Sequence, residues 1–204
     1  LASACGLEIG PTRAIKVDGK MRSSDPAIYA VGDCAEKRHM ITGKPCFIPL
    51  GSTANKEGRV AANSICAVAD SFPGVLGSLV CRVFDFTVAK TGLSERECVE
   101  NNLKPIVAIS PSHDKAHFMP EAKMMILKLI ADSKTGKILG AQAVGEGAGD
   151  KRIDVAAAAI AAGMTVDALA NLDLCYAPPY APAMDNIIVA ANIIRNKRSG
   201  LIDR

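Results

Sequence analysis

The chain has 204 residues, of which 49% are hydrophobic and 22% charged, with a formal net charge of +3. That length suits one domain or one and a fraction, and that apolar share supports a sizeable core, which argues against a disordered chain. The small charge, the scatter of Lys and Arg, the absence of tryptophan and an aromatic content of only 4% speak against a nucleic-acid partner.

The chain opens at Leu1 as if in mid-helix, runs to Cys5 and stops at Gly6, and it shows no basic or apolar leader, so a fragment without a signal peptide is expected. Ala14–Val17 and Lys20–Ser23 alternate and are joined by Asp18-Gly19, which predicts a hairpin with a type I′ turn. After Asp25-Pro26, the run Ala27–Val31 reads as a short strand buried on both faces that ends at Gly32-Asp33. A polar excursion, Glu36–Pro45, leads to Phe47–Leu50 and then to Gly51-Ser52-Thr53, a helix start with Ser52 or Thr53 as N-cap. That helix is predicted to run to about Asp70 with Ala54, Gly58, Ala61, Ala62, Ile65 and Val68 facing inward.

Pro73, Gly74 and Gly77 mark a domain boundary, giving predicted domains of residues 1–70 and 71–204. Beyond it, Leu79–Thr91, Ile106–Ser110, Lys123–Ala131 and Ile138–Val144 read as four strands, the last two joined by the turn Ser133–Gly136. Helices are predicted at Asp150–Ala162, Thr165–Ala170 and Ala183–Arg195. Strands followed by helices predict an α+β domain with helices on one face of an antiparallel sheet. The alanine-rich stretch Val155–Ala162, flanked by Asp154 and Gly163, is too short to span a membrane.

Seven cysteines stand at 5, 34, 46, 66, 81, 98 and 175, an odd number with no CxxC or CxxxxC pair. In a chain of this core content that predicts free thiols in a reducing, cytoplasmic compartment. His113 and His117 are spaced i, i+4, but Pro111 and the flanking strands predict a loop there, so no metal is expected.

Three constellations carry chemistry. In Ile28-Tyr29-Ala30-Val31-Gly32-Asp33-Cys34-Ala35 a strand delivers a glycine and an acid where open α/β sheets bind ligands; an ionised Asp only accepts hydrogen bonds and suits a polyol hydroxyl. In Ile48-Pro49-Leu50-Gly51-Ser52-Thr53-Ala54-Asn55-Lys56-Glu57-Gly58-Arg59 a helix N-terminus offers free N–H groups and partial positive charge to an anion. In Leu172-Asp173-Leu174-Cys175-Tyr176-Ala177-Pro178-Pro179-Tyr180 two prolines fix an extended segment that holds two phenols in place. Taken singly, each also has a structural explanation: a Gly-Asp turn, an ordinary capped helix, and tyrosines that close a core.

The first string, with the preceding Lys16–Pro26, resembles the second FAD-binding motif of the flavin disulfide reductase superfamily. The third resembles the C-terminal signature of its coenzyme A-disulfide reductase, NADH oxidase and NADH peroxidase branch, whereas the histidine–glutamate tail of the glutathione reductase branch is absent: the last histidine is His117. His113–Phe118 stands where some coenzyme A-disulfide reductases carry tyrosine.

The resemblance implies an α/β plus α+β fold: the C-terminal part of a Rossmann-like FAD-binding domain, then an antiparallel-sheet-and-helix dimerisation domain. It implies that Gly32, Asp33, Cys34, Leu50, Gly51, Ser52 and Thr53 surround FAD, with Asp33 at the ribityl and phosphate region and the helix start at the pyrimidine edge. It also implies that Tyr176 and Tyr180 reach the partner subunit's active site in a homodimer that takes electrons from NADH or NADPH to a disulfide, peroxide, oxygen or polysulfide. The residues otherwise read Cys34 as a small buried side chain and Lys151–Asp154 as a solvated helix start. The glycine-rich half of such an FAD domain and a redox cysteine pair are not in this sequence. The alternative is a stand-alone dimerising module whose FAD motifs are vestigial.

Overall fold

A computed structural model describes residues 1–203, and the chain divides into two compact units, Leu1–Val75 and Leu76–Arg204. The first unit holds little regular structure. Its Asp18-Gly19 turn is not the expected type I′ hairpin: the positive φ (64°) falls on Met21, and the Asp18 carbonyl accepts from the Met21 N–H. Asp18 Oδ1 accepts from the Lys20 and Arg22 N–H groups at 2.8 and 3.0 Å, so a side chain rather than a ladder shapes the turn. Met21 is buried against Val60 and Ala61, with Val17, Tyr29, Val31 and Phe72 around them. The run Ala27–Val31 is not the doubly buried strand expected. It makes one bridge, Tyr29 to Arg22, and Ile28 is exposed, because no described strand lies on its other side.

Strands β1 (Lys37–Arg38) and β2 (Pro45–Cys46) pair antiparallel and close the polar excursion. Helix α1 (Gly51–Ile65) follows. Its N-cap is Leu50, not Ser52 or Thr53; the Leu50 carbonyl accepts from the Thr53 and Ala54 N–H groups and no side chain caps. The buried row is Thr53, Glu57, Val60 and Ala61, an i, i+4, i+7, i+8 stripe. Ala62, Ile65 and Val68, expected inside, are therefore exposed. The helix stops before the expected Asp70 because Ala67 turns left-handed (φ 58°), with Val68 N–H on Asn63 O and Ala67 N–H on Ser64 O. These are the paired bonds of a Schellman end.

In the second unit the expected strand Leu79–Thr91 is broken at Phe84 (φ 53°) into β3 (Leu79–Val83) and β4 (Phe86–Gly92). Helix α2 (Glu95–Glu100) starts at a reciprocal Ser94–Glu97 capping box. Strands β5 (Pro105–His113), β6 (Met124–Asp132) and β7 (Ile138–Gly145) complete an antiparallel sheet of order β3-β4-β7-β6-β5. Helices α3 (Gly149–Ala161), α4 (Val166–Ala170) and α5 (Asn186–Arg198) then follow. Met125, Leu127 and Leu129 of β6 point inward in alternation, and α3 and α5 lay Ile153, Ala156, Ile187 and Ile194 on that face. This is the α+β arrangement read from the sequence.

The β6–β7 turn carries a titration. Burial pulls the Asp132 carboxyl upward, but hydrogen bonds from the Thr135 N–H, the Thr135 hydroxyl and the Lys134 N–H outweigh it and hold the group below its ordinary 3.8. A carboxylate depressed in the fold adds stability above its unfolded pKa and loses it as pH falls through the folded value. The stability difference between wild type and Asp132→Asn, measured by denaturant unfolding, should therefore be present at pH 7 and vanish as pH drops below 3.8.

Candidate functional site

The first two constellations meet. Gly32–Cys34 forms a single 3-10 turn, and Gly32 takes φ 72°, a left-handed conformation that favours glycine. That turn lies on the first turns of α1: a Cβ on Gly32 would sit 3.5 Å from the Ala54 Cβ. Two charged side chains hold its main chain. The Gly32 N–H donates to Glu57 Oε2 at 2.7 Å, and Lys37 Nζ donates to the Gly32 and Ala35 carbonyls at 2.6 and 3.1 Å. Glu57 Oε1 has no hydrogen bond but faces Lys37 Nζ at 3.5 Å, and both side chains are 0% exposed. Neither charge stands out in the sequence: Glu57 lies off the inward row expected for this helix, and Lys37 lies in the polar excursion.

With the turn so clamped, Asp33 and Cys34 are both exposed. Cys34 is thus not the buried side chain expected; its Sγ donates to the Val31 carbonyl at 3.3 Å. At the neighbouring helix start Gly51 and Ser52 are exposed, Leu50 is half-buried and Thr53 is buried. The first intrahelical donors are Thr53 and Ala54, so the Gly51 and Ser52 N–H groups have no partner among the described residues. The exposed Asp33 thus stands on a turn that packs against the same helix whose start leaves two N–H groups free.

The tyrosine segment lies in the second unit. Leu172–Ala177 has no regular secondary structure and leads into a turn, with the Tyr180 and Ala181 N–H groups on the Ala177 carbonyl. Tyr176 is 54% and Tyr180 72% exposed, and neither hydroxyl has a partner among the described residues. The segment ends at Asp185, the N-cap of α5, whose carboxylate accepts from the Ile187 N–H. Asp185 also pairs with Arg152, which is 1% exposed. The string Lys151–Asp154 is therefore not a wholly solvated helix start: Arg152 turns inward because a carboxylate and two carbonyls await it.

The seven cysteines are free, and among the described residues no helix is long and apolar enough to cross a membrane. Burial raises the Cys98 thiol to about 11, helped by Glu97, Glu95 and Asp132, and raises Cys46 to about 11 against the pull of Lys37. Only the thiolate alkylates. Iodoacetamide at pH 8 should therefore label the exposed Cys5, Cys34, Cys66, Cys81 and Cys175 and spare Cys46 and Cys98, as peptide mass mapping would show. Among the described residues no group of three or more His, Cys, Asp or Glu could hold a metal. The His113 carbonyl accepts from Asn186, and the His117 ring meets Phe118 edge-on at 5.7 Å.

A mixed α/β unit followed by a helix-backed antiparallel sheet is the architecture of Rossmann-like FAD oxidoreductases that carry a dimerisation domain. Residues 80–188 match the pyridine nucleotide-disulphide oxidoreductase dimerisation domain, and residues 1–58 match the pyridine nucleotide-disulphide oxidoreductase profile. The chain belongs to the pyridine nucleotide-disulphide oxidoreductase family. It is 42% identical over 195 residues to the NAD(P)H sulfur oxidoreductase (CoA-dependent) of Pyrococcus furiosus, a match covering 96% of this chain and 44% of that one. It thus spans less than half the length of that relative. The NAD-dependent persulfide reductase from A. fulgidus superposes with a TM-score of 0.96 at 49% identity, covering 98% of this chain and 38% of that one. An FAD-dependent pyridine nucleotide-disulphide oxidoreductase from Desulfovibrio vulgaris superposes with a TM-score of 0.77 at 32% identity, covering 97% of this chain and 46% of that one.

Proposed function

We propose that this chain is the C-terminal portion of a homodimeric flavoprotein oxidoreductase that passes electrons from NADH or NADPH through FAD to a disulfide, persulfide or polysulfide, a peroxide or oxygen. The observation that carries the reading is that the turn bearing the exposed Asp33 packs on α1 at Ala54, a helix whose start leaves the Gly51 and Ser52 N–H groups free. Those groups fit FAD. An acceptor-only carboxylate matches ribityl hydroxyls, and a helix N-terminus matches the pyrimidine edge. Bound FAD supplies a two-electron carrier between the nicotinamide and the acceptor. Asp33 orients the sugar-alcohol chain by accepting its hydroxyl protons in hydrogen bonds. The start of α1 favours negative charge on the ring with dipoles already in place, which need no reorganisation.

The dimerisation-domain match supports the second half of the proposal, in which Tyr176 and Tyr180 cross to the partner subunit. Their exposed, unpartnered hydroxyls are then donors to an acceptor's sulfur or oxygen. The free thiols suit a reducing, cytoplasmic compartment.

The test is an FAD titration of this chain alone and of the full-length polypeptide that carries it together with a glycine-rich, pyrophosphate-binding half. The longer polypeptide is expected to hold one FAD per chain and the 204-residue chain to stay colourless and without NADH turnover. Tight stoichiometric FAD on the chain alone, or none on the longer polypeptide, would contradict the proposal, and the second result would favour a dimerising module with vestigial motifs.

A further inference from the structure

We infer that Arg152 is a positioning residue: it sets where the tyrosine-bearing segment stands and so where the Tyr176 and Tyr180 hydroxyls are presented. The functional half of this inference rests on the proposed role of those phenols. The Arg152 guanidinium donates from Nε to Asp185 Oδ1 at 3.1 Å and from Nη2 to Asp185 Oδ2 at 2.8 Å, a two-pronged grip on the residue that ends the segment. The same group donates from Nη2 to the Asp114 carbonyl at 2.7 Å and from Nη1 to the Ala148 carbonyl at 3.0 Å.

The second anchor of the segment leads back to the same side chain. The Pro178 carbonyl, between the two tyrosines, accepts from the Ala116 N–H in the β5–β6 loop. That loop is fixed at Asp114, whose carbonyl Arg152 holds and whose carboxylate accepts from the Lys123 and Ala148 N–H groups at 2.9 and 3.2 Å. Between these anchors, the described residues from Pro179 to Met184 make no side-chain hydrogen bond. A cleft of about 330 Å³, bordered by Leu174, Tyr176, Pro182, Met184 and Ile188, opens along one flank of the segment, while Ala181 on the other is buried. A segment with an open flank is placed by its ends: here one end meets the Arg152 fork at Asp185, and the other reaches it through Ala116 and the Asp114 carbonyl. A lysine ammonium cannot reproduce that fork, because it lacks the fixed bidentate geometry.

The test uses Arg152→Lys and the double variant Arg152→Met/Asp185→Ser. The double variant keeps an N-cap hydroxyl for α5 and leaves no unpaired buried charge, so it guards against loss of the fold. Amide hydrogen exchange is read first. The Tyr180 and Ala181 amides are expected to exchange at least about tenfold faster, while the amides of Leu127 and Leu129 in β6 keep their protection. In the flavin-loaded full-length protein, acceptor turnover should fall while flavin reduction by NAD(P)H and its KM stay unchanged. A rise shared equally by the sheet amides, or no rise at Tyr180 and Ala181, would overturn the assignment, since a residue that merely stabilises the unit acts on all of them. Tyr176→Phe/Tyr180→Phe separates the two layers: if it leaves turnover intact, the role of the phenols falls, and local exchange alone still upholds Arg152's hold on the segment.

Discussion

Lys37→Met is expected to destabilise the first unit by about 3–5 kcal/mol, the cost of leaving one partner of a buried ion pair uncompensated. Glu57 is 0% exposed, so its carboxylate would be left in an apolar surround, and the Gly32 and Ala35 carbonyls would lose their donor. Denaturant unfolding followed by the emission of Tyr29, in a background where Tyr176 and Tyr180 are phenylalanine, reads this unit directly, because the chain has three tyrosines and no tryptophan. Adding Glu57→Gln should recover part of the loss, since an amide oxygen can still accept from the Gly32 N–H without carrying charge. A midpoint within experimental scatter of wild type for Lys37→Met would show that the pair does not hold the turn.

Asp33→Ala should behave in the opposite way. The carboxylate is exposed and pairs with nothing among the described residues, so unfolding should change by less than about 0.5 kcal/mol, the usual range for such surface changes. Flavin affinity of the full-length protein should instead fall by roughly 10- to 150-fold, since hydrogen bonds to a charged group contribute about 1.5–3 kcal/mol. Asp33→Asn keeps one acceptor oxygen and should lose less. Calorimetric or fluorescence titration of FAD into the apoprotein measures both variants. The contrast with Lys37→Met matters: one residue supports the turn, the other uses it.

Strands β6 and β7 were legible in the sequence as apolar runs on either side of the turn Ser133–Gly136, whereas which face of β6 is buried was not, since the exposed Met124 and Ile126 are as apolar as the buried Met125 and Leu127. The break at Phe84 was not, since a left-handed phenylalanine announces no turn in the way glycine would. The end of α1 was hidden for the same reason, with Ala67 in the position glycine usually takes. Helix α2 does carry a readable signal, Ser94 followed three residues later by Glu97. At the site, Gly32-Asp33 and the helix start could be picked out because their chemistry is local. The supports could not. Glu57 and Arg152 look like solvated charges on helices until the fold brings Lys37 and Asp185 against them.

If the start of α1 faces the reducible ring of a flavin, the two-electron reduction potential of bound flavin must respond to Ser52→Asp. An aspartate in the first turn favours the helix itself, so the fold is not put at risk. Its negative charge opposes the charge that accumulates on reduction, and each kcal/mol of that opposition lowers a two-electron potential by about 20 mV. A potential more negative by on the order of 20 mV is expected, from roughly 1 kcal/mol of Coulomb repulsion between unit charges about 4 Å apart in water. An unchanged potential in a variant that binds FAD normally would contradict that placement of α1.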